Sequence, residues 1–370
     1  MSLRFHSRIT SDRRRTPAKK TPPVLVSSAH ESRQESISMS DGEPRHHTDH
    51  SGGGAMNAAT TADFTAANFP TPHLALRGTA DETAVRAFAD EQARAARQVY
   101  AHVALGLVGL TVGGRVAALN AAYDAVVRWR RSVAAVADDA RYDASGRPAV
   151  ERYSVTLEQG GPNYDRLGVV GRFRRGSRWD ESTRTFVGGE ETPASRIVAV
   201  YGDAALRRFA VEAPRLDLVR NRVALPVSGG VVWGNELVRG EAADLVGALL
   251  AARVTARRGV AEVETGGAPL YTITADTQSR RTLFAEAMTV LATAERGDWT
   301  AWWNAAYLLY QAPQFKKGSD ACNRVFLVAV GAALLGAPPV LPHDLDLRCM
   351  VLGQTTVTAT PLLCGVSDAR

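Results

Sequence analysis

Apolar residues recur every three or four positions over several long stretches of the chain, which is the spacing of one buried face of an α-helix. Alternating apolar residues at 153–157 and 167–170 indicate two short strands, and residues 260–275 predict a β-hairpin with Gly266 and Gly267 at its tip. The sequence therefore predicts a mainly α fold, in which a helical core carries a small β-hairpin. The predicted helices are a hairpin over 81–140, broken around Gly109, Gly113 and Gly114, and single helices over 241–253, 281–294, 299–311 and 319–335.

The first part of the chain lacks this periodicity. Residues 1–72 are rich in Ser, Thr, Pro, Gly, Arg and His, and they offer too little apolar surface to offset the entropy of ordering. We predict a disordered basic tail over 1–72, a helical hairpin with short strands over 73–200, a core over 201–345 and a C-terminal extension over 346–370. The basic, acid-poor opening leaves a role in export or organelle targeting open. Three histidines in this tail are more typical of a polar linker than of a metal site: His46, His47 and His50.

Composition and charge narrow the function classes. The 370 residues are 45% hydrophobic, which is enough for a substantial core. The net charge of +6 comes largely from the first twenty residues, so it is weak evidence for a nucleic-acid-binding fold. Cys322, Cys349 and Cys364 form no CxxC pair, which argues against a zinc site or a disulfide framework and favours a reducing compartment. No run of eighteen apolar residues exists, and we predict a soluble, cytoplasmic protein with no membrane partner.

The segment between the last two predicted helices carries the strongest candidate chemistry. Its basic, glycine-containing turn directly precedes a helix, where unpaired backbone N–H groups and the helix dipole favour an anion. Gly318 permits a turn closed to other residues, and Ser319 is a good N-cap. The spacing differs from the Walker pattern GxxxxGK[ST], so the alternative is an ordinary capped helix after a solvated lysine pair. The candidate phosphate- or nucleotide-binding residues are Lys316, Lys317, Gly318, Ser319, Asn323 and Arg324.

The same segment resembles the central motif of the Fic/Doc (Fido) family, HPFxDGNGRxxR, which a helix and Gly-x-Pro-Pro follow. Phe315, Gly318 and Arg324 are in register with the family's Phe, first Gly and final Arg. Upstream, residues 232–241 resemble the family's IEGNxLTxxE segment. The resemblance implies a Fido-like core. It also implies that the 260–275 segment is the flap, whose edge receives a protein target by strand addition.

The departures from the motif affect the expected chemistry. Pro313 stands at the position of the family's catalytic histidine, and Lys317 stands at that of its metal-binding acidic residue. Proline cannot accept a proton, and lysine repels a magnesium ion. Trp233 replaces the inhibitory glutamate of the upstream segment. The resemblance therefore implies a protein that binds a nucleotide or other phosphorylated ligand without an assigned catalytic or metal-binding residue. Such a protein is either an atypical nucleotidyl- or related group transferase or a pseudoenzyme.

A second hypothesis is a non-catalytic interaction protein that contacts an acidic partner, such as nucleic acid, through the basic tail and an arginine-rich segment. Four arginines of that segment alternate with aromatic residues, which permits binding by charge and stacking. More often, arginines in such a pattern lie on the solvent-exposed face of a strand. The residues are Arg172, Phe173, Arg174, Arg175, Arg178 and Trp179. Trp299, Trp302 and Trp303 are predicted to pack in the core, and His343 is predicted to lie in a surface loop.

Overall fold

The computed structural model describes residues 64–77, 82–136, 151, 153–258 and 262–359. Predictions about residues 1–63, including the histidine group, and about Cys364 lie outside these residues. The helices are α1 (Glu82–Gly106), α2 (Val112–Val136), α3 (Leu157–Gly160), α4 (Pro193–Glu212), α5 (Gly240–Arg258), α6 (Thr277–Thr293), α7 (Trp299–Gln311), α8 (Ser319–Leu335), α9 (Leu345–Val351) and α10 (Gln354–Thr358). The strands are β1 (Tyr164–Leu167), β2 (Arg178–Asp180), β3 (Thr185–Val187), β4 (Leu218–Ala224), β5 (Val231–Val238) and β6 (Leu270–Ile273).

The mainly α fold is confirmed. Helices α1 and α2 form the predicted hairpin, and α7 and α8 begin and end at the predicted residues. Helix α4 was not predicted, although its start has a clear sequence signal. The hydroxyl of Thr192 accepts a hydrogen bond from the N–H of Ser195 (3.1 Å), and Pro193 occupies the first helical position. Both features are typical of a helix N-terminus.

Helix α8 lies at the centre of the main hydrophobic core. Every side chain from Val325 to Val330 is buried, because α8 packs against α1, α2 and α7. Tyr123 of α2 contacts Phe284 and Phe326 edge-on, with ring centroids 5.0 and 5.3 Å apart. A helix that is apolar on all sides has no solvent-facing side over most of its length. Only its N-terminal end can contribute to a surface site.

A four-stranded antiparallel sheet has the order β1-β6-β5-β4. Asp165 of β1 lies opposite Thr272 of β6, which lies opposite Leu237 of β5. One face of the sheet shares a hydrophobic cluster with α4 and α9, and the other packs against α5. Strands β2 and β3 form a separate two-stranded sheet.

The predicted β-hairpin over 260–275 is wrong for the residues that the structure describes. One strand, β6, forms there, and it pairs with β1 on one side and β5 on the other. Gly266 instead approaches the β2–β3 turn, where its N–H donates to the carbonyl oxygen of Arg184 (3.1 Å). Because both edges of β6 are already paired, a target peptide cannot add a strand to it. The structure therefore overturns the expectation that this segment receives a protein target by strand addition.

The two strands predicted before residue 200 are also misplaced. Thr156 forms an isolated bridge with Phe315, and its hydroxyl accepts the N–H of Gln159 (3.3 Å), which starts a helical turn instead of a strand. Strand β1 ends at Leu167, where the second predicted strand begins, because Gly168 turns the chain with a φ of 77°.

The last part of the predicted disordered tail is folded. Phe64 and Phe69 are buried in the main core, and the side-chain amide of Asn68 donates to the carbonyl oxygens of Pro338 and Pro339 (3.0 and 3.3 Å). The prediction of disorder is therefore wrong for residues 64–72, where two phenylalanines supply apolar surface that the average composition hides. Helix α4 runs across the predicted domain boundary at residue 200, and α9 runs across the predicted boundary at residue 345. The described residues belong to one compact unit.

Candidate functional site

The turn between α7 and α8 is anchored to the segment that precedes β1. The N–H of Leu157 donates to the carbonyl oxygen of Gln314 (3.2 Å), and the N–H of Lys316 donates to that of Val155 (3.0 Å). Between these bonds, the half-buried Phe315 packs against the main core. Protein contacts thus fix the backbone of the turn.

Gly318 starts α8 in a conformation that other residues rarely adopt. Its φ is 83°, and a Cβ atom would lie 2.9 Å from a ring carbon of Tyr153 and 3.1 Å from Cγ of Arg130. The need for glycine is confirmed. Gly318 itself is the N-cap, so the assignment of Ser319 as N-cap is wrong. The Ser319 hydroxyl instead accepts the N–H of Phe315 (3.2 Å) and donates to the carbonyl oxygen of Phe315 (3.1 Å).

Asn323 and Arg324 are turned into the interior, and each is about 1% exposed. The Asn323 amide oxygen accepts the hydroxyl of Tyr123 (3.0 Å). The Arg324 Nε atom donates to both carboxylate oxygens of Asp320 (3.0 and 3.1 Å), and its other nitrogens donate to the carbonyl oxygens of Pro342 and His343. Their prediction as ligand contacts is corrected, because burial of α8 on all sides leaves both side chains structural.

The two lysines of the turn have different surroundings. The half-buried Lys316 Nζ atom donates to the carbonyl oxygens of Gly161 and Pro162 (3.0 and 2.8 Å), so Lys316 connects the turn to the loop before β1. Lys317 is exposed. Both ammonium groups are close enough to the Asp165 carboxylate to lower its pKa electrostatically.

Asp165 of β1 lies near this turn and within electrostatic reach of three cations. Its side chain is exposed, yet desolvation is the largest influence on its pKa, which is raised despite the nearby charges of Lys317, Arg172 and Lys316. Arg172 is also exposed, and desolvation lowers its pKa. Arg172 and Asp165 also interact electrostatically, so the two charges lie near each other. We call the site formed by Asp165, Arg172, Lys316 and Lys317 the Asp165 cleft.

A buried glutamate holds the arginine of the cleft in place. Glu264 is 2% exposed, and its carboxylate accepts the N–H groups of Gly171 (2.7 Å) and Arg172 (3.4 Å). Its charge also attracts the Arg172 guanidinium and raises the pKa of that group, against the effect of desolvation. Arg166 donates to the carbonyl oxygen of Glu264 (2.9 Å) and so fixes the backbone there. Neither Asp165 nor Glu264 belongs to a recognisable sequence motif, which is why sequence reasoning missed both.

Behind the turn, one guanidinium is shared between two carboxylates. Arg324 bonds to Asp320, and Asp346 lies close enough to both to interact electrostatically. Asp346 is buried, and its Oδ1 atom has no hydrogen-bond partner among the described residues. Burial, followed by repulsion from Asp320, raises the pKa of Asp346 to about 7.

Asp346→Asn is expected to stabilise the protein at alkaline pH. The pKa of Asp346 rises from its ordinary value of 3.8 to about 7 on folding, so the folded state binds more protons between these values. The wild-type free energy of unfolding therefore falls as pH rises through that window, and the neutral amide removes this loss. We expect the variant to be more stable by a few kcal/mol at about pH 8, with a smaller gain at about pH 5. Urea unfolding at both pH values measures this, with exposed Asp203→Asn as control. A gain independent of pH would contradict it.

The arginine-rich segment does not form one continuous basic surface. Arg172 belongs to the Asp165 cleft, whereas Arg174 donates to the carbonyl oxygens of Gly188 and Gly189. Arg175 and Arg178 are exposed. Because Arg174 makes contacts within the protein, the segment has less positive charge available to an acidic partner than its sequence suggests.

The remaining aromatic candidates are mostly structural. Trp302 and Trp303 are buried, which confirms core packing for them, and Trp299 is 43% exposed. The His343 ring stacks on His73 with centroids 3.8 Å apart and is half-buried. This contact connects the loop after α8 to the folded segment before α1.

Within the part of the chain that the structure describes, no group of three or more His, Cys, Asp or Glu side chains is placed to hold a metal ion. Cys322 and Cys349 are buried free thiols. None of the described helices is long and apolar enough to cross a membrane. No model of a known protein family matches the chain, and no curated protein matches its sequence.

Proposed function

We propose that the chain is a Fido-like protein that binds a nucleotide or another phosphorylated ligand in the Asp165 cleft. The observation that supports this best is that Arg172 and Lys317, exposed cations from two separate segments, both act electrostatically on the Asp165 carboxylate. Arginine offers a planar fork to two phosphate oxygens, and lysine offers a compact charge. Lys317 also precedes α8 directly, where the helix dipole favours an anion.

The residues that match the Fido pattern are those that shape the turn. Phe315 packs against the core, Gly318 adopts the left-handed conformation, and Arg324 holds the start of α8 to the loop after it. Two of the departures, Pro313 and Lys317, fall at positions where the family pattern places chemistry, whereas Asp320 and Ala321 stand at its second Gly and first Arg. The three matching residues support a Fido-like turn, and the departures support a changed chemistry.

The proposal includes an atypical transferase and a pseudoenzyme. Pro313 cannot accept a proton, and Lys317 supplies positive charge where the family pattern has a metal-binding acidic residue. The positive charge of Lys317 can interact with phosphate directly, so the proposed binding does not require a metal ion held by residue 313 or 317. Any reaction would need a different proton acceptor.

Calorimetric titration of the full chain with ATP, GTP, CTP, UTP and UDP-glucose tests this proposal. We expect at least one of them to bind. Lys317→Ala and Arg172→Ala are each expected to weaken that binding by about 10-fold, because each removes a charge-assisted hydrogen bond. Both side chains are exposed, so the fold should tolerate each change.

Arg178→Ala is the matched control, because it removes an exposed arginine of the same segment outside the cleft. We expect it to leave nucleotide affinity unchanged. The proposal fails if none of the five compounds binds, or if binding is indifferent to Lys317 and Arg172. Steeply salt-dependent binding of nucleic acid that is lost in Arg178→Ala would instead favour the interaction protein.

A further inference from the structure

Helix α5 covers one face of the four-stranded sheet and turns its opposite side to solvent. Ala243 and Val246 are buried in a cluster with Tyr271 of β6. On the opposite side, Leu245 and Leu249 are 69% and 58% exposed. The two leucines are about one helical turn apart, so they form one apolar patch. Neighbouring apolar side chains that are this exposed are typical of an interaction surface.

Alanines continue this patch along the helix. Ala248, Ala252 and Ala256 are exposed on the same side of α5. Leaving Ala248 aside, the steps from Leu245 to Ala256 are four, three and four residues, which is the spacing of a contact seam between two packed helices. We call these two leucines and three alanines the α5 stripe. Its leucines lie in the N-terminal half, whereas Ala252 and Ala256 lie in the C-terminal half.

The charged residues of α5 are separated along its length. Glu241 and Asp244 lie in the first two turns, and both are exposed. Arg253, Arg257 and Arg258 lie in the last two turns. This order stabilises the helix through its dipole. It also gives the α5 stripe an acidic half, which is the leucine half, and a basic half, which is the alanine half.

We infer that the α5 stripe is the contact surface of a homodimer, in which α5 of a second copy of this chain packs antiparallel against it about a two-fold axis. The antiparallel direction places the leucine half of each stripe against the alanine half of the other, so that large side chains meet small ones. It also places the acidic half of each helix beside the basic half of its partner. Because a two-fold axis repeats each contact, the surface is complementary to itself. The inference is independent of the proposed nucleotide binding.

Other occupants fit this surface less well. A parallel pair would place Glu241 and Asp244 beside their own counterparts, and the like charges would repel. The same two carboxylates would repel an anionic lipid surface or a nucleic acid. The second copy is therefore the occupant that matches the stripe in both size and charge.

The length of the helix sets the expected affinity. Helix α5 has 19 residues, so it is about 28 Å long. Two helices of this length bury less surface than a typical permanent dimer does. We therefore expect a reversible dimer with a dissociation constant on the order of 10 µM.

Sedimentation equilibrium of the full chain between about 1 and 200 µM, without nucleotide, tests the inference. We expect the average mass of wild type to rise from that of one chain towards that of two. Leu249→Glu is expected to raise the dissociation constant at least about 100-fold, because the dimer would bury two carboxylates. Leu206→Glu is the matched control, because Leu206 is 48% exposed on α4, which packs on the other face of the sheet. We expect this control to dimerise like wild type.

The double variant Glu241→Arg/Asp244→Arg tests the direction of the helices. In the antiparallel dimer it sets two basic halves side by side, and we expect the dissociation constant to rise about 10-fold. In a parallel pair it would replace one like-charge contact by another, and the affinity would stay the same. Circular dichroism checks that each variant is folded.

Several results would overturn the inference. One is a wild type that stays monomeric up to about 200 µM. If Leu249→Glu then also lowers the temperature of thermal unfolding, another part of the same chain covers the stripe instead. The inference also fails if a folded Leu249→Glu dimerises like wild type, or if Leu206→Glu disrupts the dimer equally. Wild-type affinity in the double charge variant would overturn the antiparallel arrangement.

Discussion

Replacing Arg324 by alanine is expected to lower the free energy of unfolding by about 3–5 kcal/mol. The guanidinium is 1% exposed and offsets the charges of Asp320 and Asp346. Its loss leaves these buried or half-buried carboxylates to repel each other. It also removes the donors to the carbonyl oxygens of Pro342 and His343, which join α8 to the following loop. A buried cavity adds to the loss.

Urea unfolding followed by circular dichroism measures this effect. Arg178→Ala serves as the matched control, because it removes an exposed arginine and is expected to change the free energy of unfolding by less than about 0.5 kcal/mol. A loss below about 1 kcal/mol for Arg324→Ala would contradict the structural role. Arg324 would then return to the candidate ligand contacts.

Replacing Glu264 by alanine is expected to lower the free energy of unfolding by about 2–4 kcal/mol and to weaken nucleotide binding by about 10-fold. The carboxylate is 2% exposed and accepts the N–H groups of Gly171 and Arg172. Without it, both donors lose their partner, and the Arg172 guanidinium loses the charge that attracts it. The stability loss reflects the buried donors, and the affinity loss reflects a less ordered Arg172.

Glu264→Gln distinguishes these contributions, because the amide keeps the shape and one acceptor oxygen but removes the charge. We expect Glu264→Gln to lose less stability than Glu264→Ala in urea unfolding. Calorimetry with the nucleotide that binds wild type best then gives the affinity of each variant. Wild-type stability and wild-type affinity in Glu264→Ala would show that Glu264 does not hold the cleft.

The helices were predictable because their signal is local. The bounds of α7 and α8 follow from apolar spacing and from Gly318, whose left-handed conformation fits its place at the start of α8. The sheet was not predictable in the same way. Strand β6 is a short buried run between β1 and β5, and its partners lie far away in sequence, so nothing local distinguishes it from half of a hairpin.

The candidate site was only half predictable for a related reason. Sequence spacing places Arg324 about one and a half turns into α8, but packing decides which way the side chain points. Because other helices surround α8, Arg324 faces Asp320 and the interior. Asp165 and Glu264 carry no motif, and only the fold brings them beside Lys317 and Arg172.

Calorimetric titration of the Arg172→Ala/Lys317→Ala double variant beside wild type tests the central claim most directly. We expect wild type to bind at least one nucleoside triphosphate or nucleotide sugar at a single site. The double variant should bind it at least about 100-fold more weakly, because two charge-assisted contacts are lost. Its circular dichroism spectrum should remain that of the folded wild type. Equal affinity in a folded double variant would contradict phosphate binding in the Asp165 cleft.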